Sequence, residues 1–167
     1  MKPLVLDLPY PSAEDLTKDV KSGNIISFGY ATLKGEIAAV LQYVYHHFFF
    51  DLLDKGDADT MMAIAVAEMT HVNILGEAML KLGVNPRYVQ CPNTNAYFNT
   101  SQISRATSPT KMLMDDIQSE MGAIADYQKM LFVLQNEKVA AIIQRIVLDE
   151  QLHLETFKKM LEKYSDK

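Results

Sequence analysis

The sequence predicts an all-α domain, an up-down-down-up four-helix bundle with one long crossover, and three observations predict it. Apolar residues recur at helical spacing through four long stretches. Glycine and proline sit in few places, seven and six in 167 residues, and mark turns around those stretches. The connections run short, long, short, which makes two helical hairpins joined by one crossover.

The first stretch runs from about Phe28 to Leu53, with Leu33, Ile37, Val40, Leu41, Val44 and Phe48 on one side. It is expected to end in the polar turn Asp54-Lys55-Gly56-Asp57, where glycine suits a left-handed cap. The second runs from about Thr60 to Leu82 and stops at Gly83, with Pro86 three residues beyond. Between the second and third lies Asn85–Ser108, rich in Asn, Ser, Thr and Tyr and without a clear period. Its part Tyr88–Phe98 reads as a cover or a subunit interface. The third helix opens at Ser108-Pro109, an N-cap with proline at the first helical position, and continues to about Leu134. Asn136 caps the fourth, which runs to about Tyr164. Residues 1–27, with Pro9, Pro11 and a short helix near Ala13–Val20, are expected to pack on the outside of a core spanning 28–164. The whole of 1–167 reads as one domain.

Composition sets limits on partners. The chain is 49% hydrophobic with a formal charge of −5, too apolar and too weakly charged for disorder. No Lys/Arg cluster offers a footprint for nucleic acid or an anionic membrane. No stretch reads as a transmembrane span, and Met1–Tyr10, with Asp7 and two prolines, does not read as a signal peptide. The single Cys91 excludes an internal disulfide and any four-Cys site, and suits a reducing cytoplasm.

The informative residues are carboxylates where a core should be. On the second helix the apolar stripe Met61, Ile64, Ala65 is interrupted by Glu68 and His71 before Leu75, Met79 and Leu82 resume it. On the fourth, Ile142, Ile143 and Ile146 give way to Glu150 and His153 before Phe157 and Leu161. Residues three apart on a helix project side by side, so each Glu-x-x-His offers a carboxylate and an imidazole to one point. Glu36 interrupts the first stripe and Glu120 the third. With nine glutamates in the chain, two such pairs among four histidines is roughly a 2% accident for so short a motif. Burying four carboxylates costs several kcal/mol for each isolated ion, whereas two divalent metals neutralise all four. One Glu from each of two helices plus Glu-x-x-His from each of the others is the ligand set of dinuclear carboxylate proteins. Hard oxygens with one imidazole per metal favour iron or manganese.

These residues resemble the ferritin-like di-metal carboxylate superfamily, in particular its rubrerythrin-like and manganese-catalase-like branch, from about Gly35 to Tyr164. Gly35-Glu36-Ile-Ala-Ala-Val-Leu-Gln-Tyr43 is similar to the first-helix motif of manganese catalases. Glu120-Met-Gly-Ala-Ile-Ala-Asp-Tyr127 and Asp149-Glu150-Gln-Leu-His153 resemble their third and fourth helices. The resemblance implies Glu36, Glu68, His71, Glu120, Glu150 and His153 as metal ligands, with Glu68 and Glu120 bridging, and Glu150 a ligand or an unligated base. It implies two metal ions per chain, iron before manganese. No haem is expected, although Met69 sits where bacterioferritins carry a haem-ligating Met. Rubrerythrins proper add a Glu at the position of Ala123 and a four-Cys rubredoxin domain, which one cysteine cannot build.

The candidate catalytic groups are Glu150, Tyr43 and Tyr127; each tyrosine lies seven residues after a lone ligand Glu, two turns along the same face. Asp149 resembles a residue that orients a ligand histidine across the bundle. Asp116 reads either as a further carboxylate near the site or as a solvated partner of Lys111. His47 returns to the inner face but lies about 16 Å along the axis from Glu36, too far to share a metal. The expected activity is removal of hydrogen peroxide at a dinuclear iron or manganese centre, with dioxygen the other candidate substrate. An iron peroxidase would need an external electron donor; manganese disproportionation would need none. The rival expectation is a ferroxidase that handles iron without peroxide turnover. A homodimer is the default assembly.

Overall fold

A computed structural model describes residues 1–165. They form five helices and no strand: α1 Val20–Tyr30, α2 Glu36–Phe50, α3 Lys55–Leu82, α4 Pro109–Val133 and α5 Glu137–Ser165. The helices α2 and α3 pack as one antiparallel hairpin and α4 and α5 as another, and α1 lies along the far half of α3. Gly23 meets Leu82 and Val84, Tyr30 meets Gly76, and Glu36 meets His71, so α1 and α2 run in succession along α3. Together they are the first arm of the four-helix bundle, interrupted at residues 31–35.

That interruption differs from the single helix expected over 28–53, and the helix expected near 13–20 is absent. Asp19 caps α1 instead, accepting hydrogen bonds from the Ser22 backbone N–H and hydroxyl. The break has a local cause. Thr32 turns its hydroxyl back to the Phe28 carbonyl, 2.9 Å away, and Gly35 donates its N–H to the Thr32 carbonyl. A Cβ on Gly35 would stand 2.6 Å from the Gly29 carbonyl oxygen, so the two helices approach this closely only through glycine.

The other ends follow from capping. The turn at 54–57 belongs to the next helix: the Asp54 carboxylate accepts from the Asp57 N–H at 3.0 Å, and α3 starts at Lys55 rather than near Thr60. Gly83 closes α3 in the left-handed region with φ 87°, and the Val84 N–H returns to the Met79 carbonyl. Pro109 opens α4 behind Ser108, and Asn136 caps α5 by accepting from the Val139 N–H.

The buried face of α2 is also rotated from expectation. Tyr43, His46 and Phe50 are buried at i, i+3, i+7, whereas Leu41 and Phe48 are exposed.

Two apolar clusters fill the bundle. One joins Ile26, Tyr30, Leu75, Leu82 and Met130 to Ile142 and Ile146; the other joins Tyr43, Phe50, Met61, Ile64 and Met112 to Phe157. Between them lies a layer of buried charge. No helix among the described residues is long and apolar enough to cross a membrane.

Candidate metal centre

The layer is assembled from four elements. Glu68 and His71 stand one above the other on α3, as do Glu150 and His153 on α5. Glu36 is the first residue of α2, placed by the break before it, and Glu120 projects from α4. All six side chains are buried, none more than 4% exposed. His71 Nδ1 lies 3.0 Å from Glu68 Oε2, 3.1 Å from Glu150 Oε1 and 3.6 Å from Glu36 Oε2. His153 Nδ1 lies 2.9 Å from Glu68 Oε1, 3.6 Å from Glu150 Oε2 and 3.9 Å from Glu120 Oε1. The six residues picked from spacing therefore meet as two four-residue groups, each with its ligand atoms within 4.8 Å of one another. Glu68 and Glu150 are common to both, where the resemblance implied Glu68 and Glu120. Glu150 reaches both histidines, Oε1 toward His71 and Oε2 toward His153, whereas Glu120 approaches only His153 and accepts from the Tyr43 hydroxyl at 2.6 Å at one edge of the layer.

The two tyrosines cross the bundle. Tyr127 donates to Glu36, so each tyrosine bonds the lone carboxylate of the other hairpin rather than that of its own helix. Gly29 makes room for this. A Cβ there would stand 2.7 Å from the Tyr127 ring and 2.9 Å from its hydroxyl. Gly29→Ala is expected to displace the ring and cost about 1–3 kcal/mol by overpacking. Gly122→Ala, whose Cβ meets nothing within 4 Å, serves as the helix-propensity control and is expected to be neutral or slightly stabilising. Thermal melting of both variants distinguishes the two effects.

Burial and like charge sort the carboxylates. Glu36 and Glu120 are held well above the usual range by burial and by the charges of Glu150 and Glu68. For Glu68, burial pushes the same way, but the charge of the adjacent His153, with the charge and hydrogen bond of His71, outweighs it and holds it below the usual range. Glu150 is likewise lowered: burial and the Glu68 charge oppose ionisation, and the adjacent His153 and His71 rings prevail. Burial disfavours charge on the imidazoles, yet the surrounding carboxylates of Asp149, Glu150, Glu36 and Glu68 raise His71 well above its ordinary value. The charges of the adjacent Glu68 and Glu150 raise His153 to about 10. Without metal, the two lowered carboxylates thus face two raised imidazoles, while Glu36 and Glu120 are pushed toward their protonated forms.

The balance is incomplete as hydrogen bonding. Glu68 Oε1, Glu150 Oε1 and His153 Nδ1 are buried with no hydrogen-bond partner. Glu68 Oε1 and His153 Nδ1 are close but not aligned as donor and acceptor. Orphaned atoms of this kind are costly. All three face the same layer, and metal ions would engage them, so the donor set fits two hard divalent cations.

A narrow cleft of about 40 Å³ opens onto the layer between the α1–α2 break and α4. Glu36, Glu120, Glu150, Tyr43 and Tyr127 line its inner part, and Thr32, Lys34 and Asp126 its mouth. It has room for a few waters or one small molecule. Outside it lies an apolar groove of about 720 Å³ that shares Phe28, Thr32, Lys34, Asp126 and Met130.

Three neighbouring residues complete the surroundings of the layer. Asp116 is fully buried and faces His46 Nδ1 at 2.8 Å and Gln42 Nε2 at 2.8 Å; Lys111 pairs with Asp115 instead. It is His46, not His47, that turns inward, and the sequence signal was Asp116 one turn before Glu120. Asp149 Oδ2 lies 3.3 Å from His71 Nε2, across the bundle as the resemblance implied.

A family model described as a ferritin-like domain matches residues 30–166. Comparison with curated protein sequences gives no significant match. Among solved structures, the fold is similar to a manganese catalase from Anabaena, with a TM-score of 0.84 and 18% identity over 95% of this chain and 79% of that one. It is similar to the bacterioferritin of Rhodobacter capsulatus, with a TM-score of 0.73 and 18% identity over 90% of this chain and 89% of that one. The Desulfovibrio desulfuricans bacterioferritin gives a TM-score of 0.72 and 23% identity over 87% and 81%.

Proposed function

The chain belongs to the ferritin-like domain family, and from that premise we propose that it is a dinuclear iron or manganese oxidoreductase that removes hydrogen peroxide. One observation carries the reading: two overlapping ligand groups share Glu68 and Glu150 and open onto a narrow cleft that admits a small oxidant such as peroxide. Likeness to a manganese catalase and to bacterioferritins with a dinuclear site supports a centre of two metals.

Glu36, Glu68, His71 and Glu150 would hold one ion, and Glu68, Glu120, Glu150 and His153 the other. Bound metals would supply the electron pair that cleaves the O–O bond. The chain does the rest. Tyr127 and Tyr43 fix Glu36 and Glu120 at the cleft wall and can return a proton through those carboxylates. Glu150 faces the cleft and both groups, so the same carboxylate can hold metal or take the proton that a peroxide gives up. The apolar clusters on either side keep bulk water away from the layer.

Manganese-loaded protein is expected to release dioxygen from peroxide with no reductant present. Iron-loaded protein is expected to consume peroxide only as an external reductant is supplied. If neither form turns peroxide over, and iron is instead oxidised and taken up beyond two ions per chain, the protein is a ferroxidase.

A further inference from the structure

We propose that the N-terminal segment, residues 4–10, is a strap that orients both histidines of the metal centre, each by a different acceptor, and so makes the two metal positions inequivalent. The segment has no regular secondary structure, bends at Asp7–Leu8 and crosses the bundle outside the charged layer, tied to α3 by the Leu4 N–H, which donates to the Ala63 carbonyl at 3.0 Å.

Its contact with His153 is direct. His153 Nε2 lies 2.8 Å from the Leu4 carbonyl oxygen. A carbonyl only accepts, so Nε2 carries the hydrogen, and in the neutral ring Nδ1 keeps the lone pair. That Nδ1 is the atom facing Glu68, Glu150 and Glu120.

Its contact with His71 runs through Asp149. His71 Nε2 lies 3.3 Å from Asp149 Oδ2, which leaves Nδ1 toward Glu68, Glu150 and Glu36. The strap saturates the rest of that carboxylate: the Leu6 N–H donates to Oδ1 at 2.9 Å and the Tyr10 hydroxyl to Oδ2 at 2.5 Å. Arg145 locks the arrangement, with Nη1 2.7 Å from Asp149 Oδ1, Nη2 donating to the Leu6 and Leu8 carbonyls, and its guanidinium 4.3 Å over the Tyr10 ring.

The difference between the two acceptors has a chemical consequence. A carboxylate backing an imidazole makes it a stronger donor to metal than a neutral carbonyl does, and partners outside the ligand set commonly change metal affinity 10–100-fold. The position completed by His71 is therefore the tighter one, and it depends on Tyr10. The position completed by His153 depends on the Leu4 backbone and not on Tyr10. Tyr10 and Arg145 act only through Asp149 and are positioning residues.

The proposal rests on the layer being a metal site, and cobalt(II) as the probe separates the two claims. The full chain is loaded with cobalt, and its release into a chelator is followed by the visible spectrum beside that of Tyr10→Phe, which removes one hydroxyl and keeps the ring under Arg145. Wild-type protein is expected to hold two cobalt ions. Tyr10→Phe is expected to release one of them at least about tenfold faster and leave the other within twofold. Proton spectra of the cobalt protein give a second readout: two shifted, slowly exchanging ring N–H signals in the wild type, one of them exchanging faster in the variant. Unchanged release in Tyr10→Phe, or equal acceleration of both ions, overturns the strap. Failure of the wild type to bind cobalt overturns the metal reading, and the strap with it.

Discussion

Exchanging Glu68 for Gln is expected to reduce bound metal from two ions per chain to one or none. Glu68 belongs to both ligand groups, and its Oε1 is one of the orphaned buried atoms at the layer. The amide has nearly the same volume, so the apolar clusters on either side need not repack. What is lost is one of four negative charges set against two divalent cations, together with an oxygen from each ion's donor set. The loss in affinity is expected to exceed the 10–100-fold that changes outside the ligand set produce. The metal-free protein suffers as well, because His71 and His153 both rely on that carboxylate. Removing one partner of a buried ion pair costs about 3–5 kcal/mol. Elemental analysis after dialysis, with melting in chelator, measures both effects. Two tightly held ions in Glu68→Gln would remove this residue from the ligand set.

Stripping the metals is expected to leave a protein whose stability falls as pH rises from about 6 to 9. The unfolded chain releases its histidine protons near pH 6.5. The folded chain keeps them longer, His153 to about 10 and His71 well above its ordinary value. Their contribution is thus fully present below about pH 6.5 and lost as pH climbs through the folded values. Glu36 and Glu120 act in the same direction, since they hold protons in the fold that the unfolded chain has already released. Glu68 and Glu150 act oppositely; their contribution is present above the ordinary carboxyl value and lost as pH falls below it. Stability without metal should therefore peak near pH 5–6.

Metal uptake must displace the protons of two imidazolium rings and two carboxyls, up to four per chain. Affinity then rises steeply with pH, and the loaded protein loses the alkaline decline. At a thousand times its dissociation constant, each ion adds about 4 kcal/mol. Melting curves across pH with and without chelator, and proton release on titration with manganese, check this. A flat metal-free profile, or metal uptake without proton release, would contradict the charge arrangement.

The ligand layer was readable because burial makes charge conspicuous. Glu68, His71, Glu150 and His153 break apolar stripes at a spacing that puts each pair on one helix face, and no tertiary information is needed to see it. The break in the first arm was harder. Phe28–Leu53 carries apolar residues throughout, and nothing in its periodicity announces that Thr32 will bond back to Phe28 or that Gly35 will sit against the Gly29 carbonyl. The exposed Leu41 and Phe48 misled for the same reason: an aromatic-rich helix has several faces that look apolar, and only the partner helix selects one.

The four arms of the bundle, the long crossover and the six residues of the charged layer all follow from local rules, because capping, periodicity and the cost of burying charge act over a turn or two. Which carboxylates are shared, which tyrosine serves which glutamate, and what backs each histidine are contacts between residues 70 to 150 positions apart. Those depend on how the hairpins are set against each other and where the first ten residues cross them. Sequence spacing places a side chain on its own helix; the atom it meets is decided by the packing of another.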